Sequence, residues 1–234
     1  MKTFLPVFLL SFFLFSATTS NAQTVDEIIA QYVKAMGGKE KLQTLKTVKM
    51  TGSMNVQGAD IAIVSSKSHL IGSRMDIEVM GTSNFQYLNS NSGKVFMPIL
   101  GMAAPQEMEP GEFQTSITQL DIQGPLLDYK EKGNTVVLKG KEKLENGEAY
   151  NLLVTFKKGK TVNYYVDATT YRIAKITSVE NVHGSDNAVE FSYGDYKQNA
   201  DGYWFPYSLT NSRGTILFDK IETNVPIDEK IFSN

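Results

Sequence analysis

Thr47-Val48-Lys49-Met50-Thr51-Gly52-Ser53-Met54-Asn55-Val56 is the stretch on which the fold turns. Val48, Met50, Gly52, Met54 and Val56 alternate with Thr47, Lys49, Thr51, Ser53 and Asn55. A period of two sends the two sets to opposite faces, so this is a long half-buried strand and not a helix. Reading onward, Gln57-Gly58-Ala59-Asp60 forms a hairpin turn into Ile61–Ser68. Met75, Ile77 and Val79 then alternate with Arg74, Asp76 and Glu78, and Asn84–Asn89 and Lys94–Met97 are joined by Ser90-Asn91-Ser92-Gly93. Beyond Pro125 the same rhythm returns at Thr135–Lys139, Tyr150–Phe156, Thr161–Val166, Tyr171–Val179, Val189–Tyr196, Tyr203–Asn211 and Thr215–Thr223. About ten or eleven strands in meander order predict a mainly β chain, a single antiparallel sheet that curls. No repeat or linker divides it, so residues 23–234 are expected to form one domain.

Toward the N-terminus the period changes. Thr24-Val25-Asp26-Glu27 reads as a capping box, in which hydroxyl and carboxylate each satisfy an orphan backbone N–H. Val25, Ile28, Ile29, Tyr32, Val33 and Met36 follow at helical spacing, and Gly37-Gly38 ends the helix. A short helical turn is expected over Lys39–Leu45. Before it, Lys2 precedes a run from Phe4 to Phe15 with nine Phe or Leu residues, and Ser20 and Ala22 place small side chains at −3 and −1 of a cleavage site. This predicts a signal peptide over residues 1–22, cut after Ala22 to leave a soluble exported chain, since the apolar run is short of the ~20 residues that span a bilayer.

Removing that leader takes away Lys2 alone among the charges, leaving 22 basic residues against 25 acidic, a net charge of −3 over 212 residues. So slight an acidic balance argues against nucleic acid, which demands a basic patch. Zero Cys excludes disulfides and thiol chemistry, and packing alone must hold an exported fold together. His69 and His183 lack metal-ligand spacing and read as surface or strand residues; no nucleophile elbow, zinc or nucleotide motif occurs. Neither catalytic residues nor a metal nor a cofactor is expected.

Two features interrupt the β pattern. Pro98, Gly101, Pro105, Pro110 and Gly111 punctuate the segment from Pro98 to Gly124, which then reads as a helix from about Glu112 with Phe113, Ile117 and Leu120 on one face. Such an excursion is either a lid or a packing element. The eight methionines after the leader all precede residue 110, whereas Trp204 and nine of the eleven tyrosines lie in the second half. Methionine suits both an irregular core and a surface that must fit apolar ligands of variable shape.

Ala35-Met36-Gly37-Gly38, the strand Val48–Val56, the Asp167–Thr170 turn, the block Phe191-Ser192-Tyr193-Gly194-Asp195-Tyr196 with Asp201-Gly202-Tyr203-Trp204-Phe205-Pro206, and the tail Ile221–Asp228 with Phe232 together resemble the periplasmic outer-membrane lipoprotein-sorting proteins of the LolA-like superfamily. The resemblance implies an incomplete barrel: one strongly curved antiparallel sheet, an N-terminal helix and a helical cover over the concave face. It also implies a periplasmic, non-enzymatic carrier or binder of acylated ligands, with lipoprotein or lipid transfer toward the outer membrane. Its partners would be acyl chains of lipoproteins or other amphiphiles and a membrane-bound donor or acceptor protein. An envelope-stress or lipid-sensing interaction module on the same scaffold stands as the alternative. The expected apolar cavity draws on Met50, Met54, Met75, Ile77 and Met97 from the early strands, and on Met102, Met108, Phe113, Ile117 and Leu120 from the cover.

Overall fold

The computed structural model describes residues 23–56, 58–182 and 184–233. The expected leader and His183 lie outside the described residues. Helix α1 spans Val25–Ala35, with the Thr24/Glu27 capping box formed in both directions, and α2 spans Lys39–Gln43. The first group of strands is β1 (Thr47–Val56), β2 (Ala59–Ser68), β3 (Gly72–Val79), β4 (Thr82–Asn89), β5 (Gly93–Phe96) and β6 (Gln106–Glu107). After α3 (Pro110–Ser116) and a 3-10 turn at Ile117–Leu120 come β7 (Thr135–Leu144), β8 (Gly147–Thr155), β9 (Thr161–Asp167), β10 (Ile173–Val182), β11 (Ser185–Gln198), β12 (Trp204–Asn211) and β13 (Gly214–Thr223). A further 3-10 turn covers Glu229–Phe232. Among the described residues no helix is long and apolar enough to cross a membrane.

The strands form one 13-stranded antiparallel sheet in the order β6-β5-β4-β3-β2-β1-β13-β12-β11-β10-β9-β8-β7. The expected meander is therefore two meanders, joined where the first strand pairs with the last: Val48 stands opposite Thr223 and Met54 opposite Ile216. β6 and β7 form the two edges and do not pair, so the sheet is not closed. The two-residue β6 carries no periodicity of its own, which is why the sequence pattern passes over it. The Tyr171–Val179 strand starts later than expected, because Tyr171 has φ 55° and belongs to the turn.

Register shows which side chains share a face. In antiparallel pairs, residues directly opposite point the same way. Val48, Met50 and Met54 face the same side as Lys67, Ser65 and Ile61, and these as Ser73, Met75 and Val79. In the second meander Tyr150, Leu152 and Val154 pair with Val166, Tyr164 and Val162. Against that row lies α1, burying Ile28, Ile29 and Tyr32 with Leu126. A second cluster, Leu45, Val48, Ile63, Tyr203, Phe205, Ile216, Phe218 and Ile221, fills the sheet where the two meanders meet.

Curvature follows from α3. Seven residues of helix extend about 10 Å. Yet Phe113 packs against the Leu88–Met108–Leu120 cluster beside β4 and β5, while the Gly111 backbone presses on Asn181 of β10. β4 and β10 are seven strand spacings apart in the sheet, roughly 34 Å at ~4.8 Å each if it were flat. One short helix touches both, so the sheet must wrap toward itself.

Candidate functional site

Edge-to-edge connectivity creates the site. Because β6 and β7 are opposite edges, the chain between them has to traverse the sheet, and it does so over the concave face. At its start Met108 N–H donates to Gly93 O at 2.9 Å, and Met108 is buried with Leu88 and Leu120. Gly111 allows α3 to seat on β10: a Cβ there would stand 1.9 Å from the carbonyl oxygen of Asn181. The far end is pinned to the β2–β3 turn by Leu70 N–H donating to Leu120 O at 2.8 Å. The Gln123 amide donates to Gln43 O and Leu45 O at 3.1 and 3.2 Å.

Between this crossing segment and the sheet lies a cavity of about 250 Å³. Its walls come from both meanders. β1 and β2 supply Val48, Met50 and Lys67; β9 and β10 supply Val162, Tyr164, Ile173 and Ile176; β11 and β12 supply Phe191, Tyr193, Tyr196, Trp204 and Phe205. Tyr32 and Met36 enter from the first helix and its cap, and Thr115, Thr118 and residues 121–125 from the crossing segment. The lining is mostly aliphatic and aromatic, the composition of sites that hold apolar ligands. Burial pushes the phenols of Tyr32, Tyr164, Tyr193 and Tyr196 well above their ordinary range, so they line the wall as neutral groups. Tyr196 donates to Ile173 O at 2.9 Å. Trp204 lies beneath the Arg172 guanidinium, 3.8 Å from its ring centroid.

Two charged residues reach the wall among the described residues, Lys67 and Asp121. Lys132 Nζ lies 2.6 Å from one Asp121 oxygen; the other oxygen stands 3.6 Å from His69 Nδ1, and neither of those two atoms has a hydrogen bond among the described residues. Burial lowers the His69 pKa, Asp121 opposes that shift and Lys132 adds to it. His69 thus sits at the end of β2, partly buried beside a carboxylate. The Lys67 ammonium has no hydrogen bond or ion pair among the described residues, and burial alone draws its pKa down.

Of the ten residues expected from the sequence, Met50 is on this wall. Met54 and Met75 share its face and pack against the cluster at the meeting of the two meanders; Ile77, opposite Ile63, continues that row. Met108 and Leu120 are buried together, with Phe113 and Ile117 packed on them. Met97 and Met102 bracket the Pro98–Leu100 turn, where Met97 N–H meets Met102 Sδ at 3.3 Å. The aromatic wall of the second half was not singled out in the sequence, and neither was Lys67. Its position was readable, since Lys67 has the parity of Ile61 and Ile63 within its strand. Arg74 has the opposite parity. It lies over Phe85, 4.4 Å from the ring centroid, and donates to Ile231 O at 3.3 Å, holding the C-terminal turn on the outer face.

No protein-family model and no curated protein sequence matches the chain. Among solved structures, a DUF1329 family protein from Desulfovibrio piger is similar with a TM-score of 0.54 at 15% identity, over 91% of this chain and 98% of that one. A LolA superfamily protein from Nitrosomonas europaea gives a TM-score of 0.54 at 12% identity, over 91% and 99% of the two chains. At such identities the likeness is one of backbone architecture, and it agrees with the open antiparallel sheet described above. The chain has a LolA-like fold.

Proposed function

We propose that this protein is a non-enzymatic binder and carrier of acylated ligands, working in the periplasm after export. The observation that carries the reading is the apolar cavity enclosed between the concave face and the chain that crosses from β6 to β7. An acyl chain gains about 0.8 kcal/mol for each methylene it buries. At about 250 Å³ the cavity falls just under the roughly 300–1,000 Å³ of sites that enclose a small molecule, a size suited to part of one chain. In this reading α3 and the turn after it are the cover. Lifting the cover extends the ligand's track along Met50, Met54, Met75 and Ile77, with Met97, Met102, Met108, Phe113, Ile117 and Leu120 following from the cover side. The load would be a lipoprotein or another amphiphile bound for the outer membrane.

Mass spectrometry of organic extracts from natively purified protein tests the reading directly, with co-purifying lipid as the expected result. Met54→Glu and Phe113→Glu place a carboxylate beside the acyl track. Each variant should keep the β-sheet circular dichroism of the parent while losing affinity for a fluorescent fatty-acid probe. A parent chain that binds no amphiphile overturns the assignment.

A further inference from the structure

Lys67 is the one cation on the cavity wall among the described residues, and it has no counter-ion there. Its place in β2 is fixed by register. It stands between Val48 on β1 and Ser73 on β3, so the side chain projects from the concave face, on the same side as Met50. An ammonium among mostly apolar side chains loses hydration, and no hydrogen bond from the described residues replaces it, whereas such groups are ordinarily paired. The other charged wall residue does not serve, because Asp121 is ion-paired with Lys132 and makes no hydrogen bond or ion pair with Lys67. Burial by itself accounts for the lowered Lys67 pKa, with no contribution from a carboxylate. A mostly apolar wall that carries one unpaired amine suits a ligand that is mostly apolar with one negative end.

We propose that Lys67 receives the acidic headgroup of a single-chain amphiphile, a carboxylate or a phosphate monoester, while the alkyl chain lies along the apolar wall. This rests on the binder reading above and adds the chemistry of the ligand's polar end. The headgroup would accept hydrogen bonds from the ammonium inside a region of low dielectric, where charge-assisted bonds are strongest. Chain burial would then supply affinity and Lys67 the choice among headgroups.

The test is calorimetric titration of the delipidated exported chain with laurate, dodecyl phosphate and dodecanol, which share a twelve-carbon chain and differ in the head. The wild type should bind one or both acids at least about ten-fold more tightly than the alcohol. Whichever acid binds better identifies the headgroup as carboxylate or phosphate. Lys67→Met, which keeps the length of the side chain and removes its charge, should abolish the preference and leave dodecanol binding intact. Lys67→Arg should retain the preference, and Lys67→Gln guards against a folding defect peculiar to Met. Without ligand, Lys67→Met should melt no lower than wild type, since it removes an unpaired amine from a mostly apolar wall. Equal binding of acid and alcohol by wild type overturns the headgroup assignment, as does a preference that survives in Lys67→Met; both leave the acyl-binding reading standing. If wild type binds none of the three, the cavity reading fails and takes this inference with it.

Discussion

At Gly52 a missing side chain decides how β1 meets β13. A Cβ there would stand 2.2 Å from Leu217 O and 2.8 Å from the Phe218 Cα, where the register between the two strands shifts. Gly52→Ala should therefore cost about 1–3 kcal/mol or more through forced backbone movement, read as a lower denaturation midpoint in urea. The reverse defect applies at Ile29, which is buried against the β8–β9 face. Ile29→Asp leaves a carboxylate there without a partner and should lower stability by several kcal/mol; a wild-type melting temperature would place α1 the wrong way round. The sequence makes the face of α1 legible, because capping box, periodicity and double glycine agree on one helix. It does not make Gly52 legible as a contact. A glycine within an alternating strand looks the same whether it is a weak position or the place where a neighbouring backbone presses in.

Among the elements, α3 approaches β10 through one glycine and carries a titratable group on the same side. Gly111 lets it touch β10, so Gly111→Ala should unseat it. The expected result is faster release of a fatty-acid probe in stopped-flow measurements, with a smaller loss of melting temperature than Ile29→Asp causes. Across the same contact Glu112 approaches Glu180, and both carboxyls titrate above their ordinary range. Burial is the main cause for each; repulsion from Glu180 adds to it at Glu112, while Lys160 and the Thr115 hydroxyl partly offset it at Glu180. Folded chains with raised carboxyl pKa values hold protons that unfolded chains release. That stability is fully present below the ordinary glutamate range and is lost as pH rises through the raised values. From about pH 4.5 toward 7, the wild-type melting temperature should fall relative to that of the Glu112→Gln, Glu180→Gln double variant. A difference curve that is flat, or that rises, contradicts the contact. The helix over Phe113, Ile117 and Leu120 was legible as an amphipathic stretch. That it bridges two distant strands was not, for periodicity reports a face and never the identity of what meets it.

For the whole molecule, strands and the grouping of side chains on common faces could be read almost throughout, since each hairpin announces itself by alternation and a turn; which face is concave could not. The sheet order could not. Nothing in Val48–Met54 or in Ile216–Thr223 signals that these segments pair, because pairing across the length of a chain leaves no local mark. The candidate wall suffered in the same way. Met50 was singled out by composition, whereas Tyr164, Tyr193 and Trp204 enter the cavity only because the second meander curls round to face the first. Loss of β13 should be far more damaging than its terminal position suggests. A chain ending at residue 213 removes a strand from the middle of the sheet, and is expected to show no cooperative thermal transition and no near-ultraviolet circular dichroism. A native-like spectrum from that truncation would contradict the sheet order.

The β1–β13 seam also has a bearing on when this protein can fold. Every other strand pair joins sequence neighbours, and such hairpins form quickly. The seam alone waits for the end of the chain, and the ordering of a long loop must be met before its contacts are made. During synthesis from the N-terminus, the first meander emerges with β1 as an open edge and its apolar face bare. It remains so until the final strand arrives to fill the gap. Joining the two meanders into one sheet therefore depends on the strand pair with the greatest separation along the sequence, and that one slow step governs when the concave face is complete.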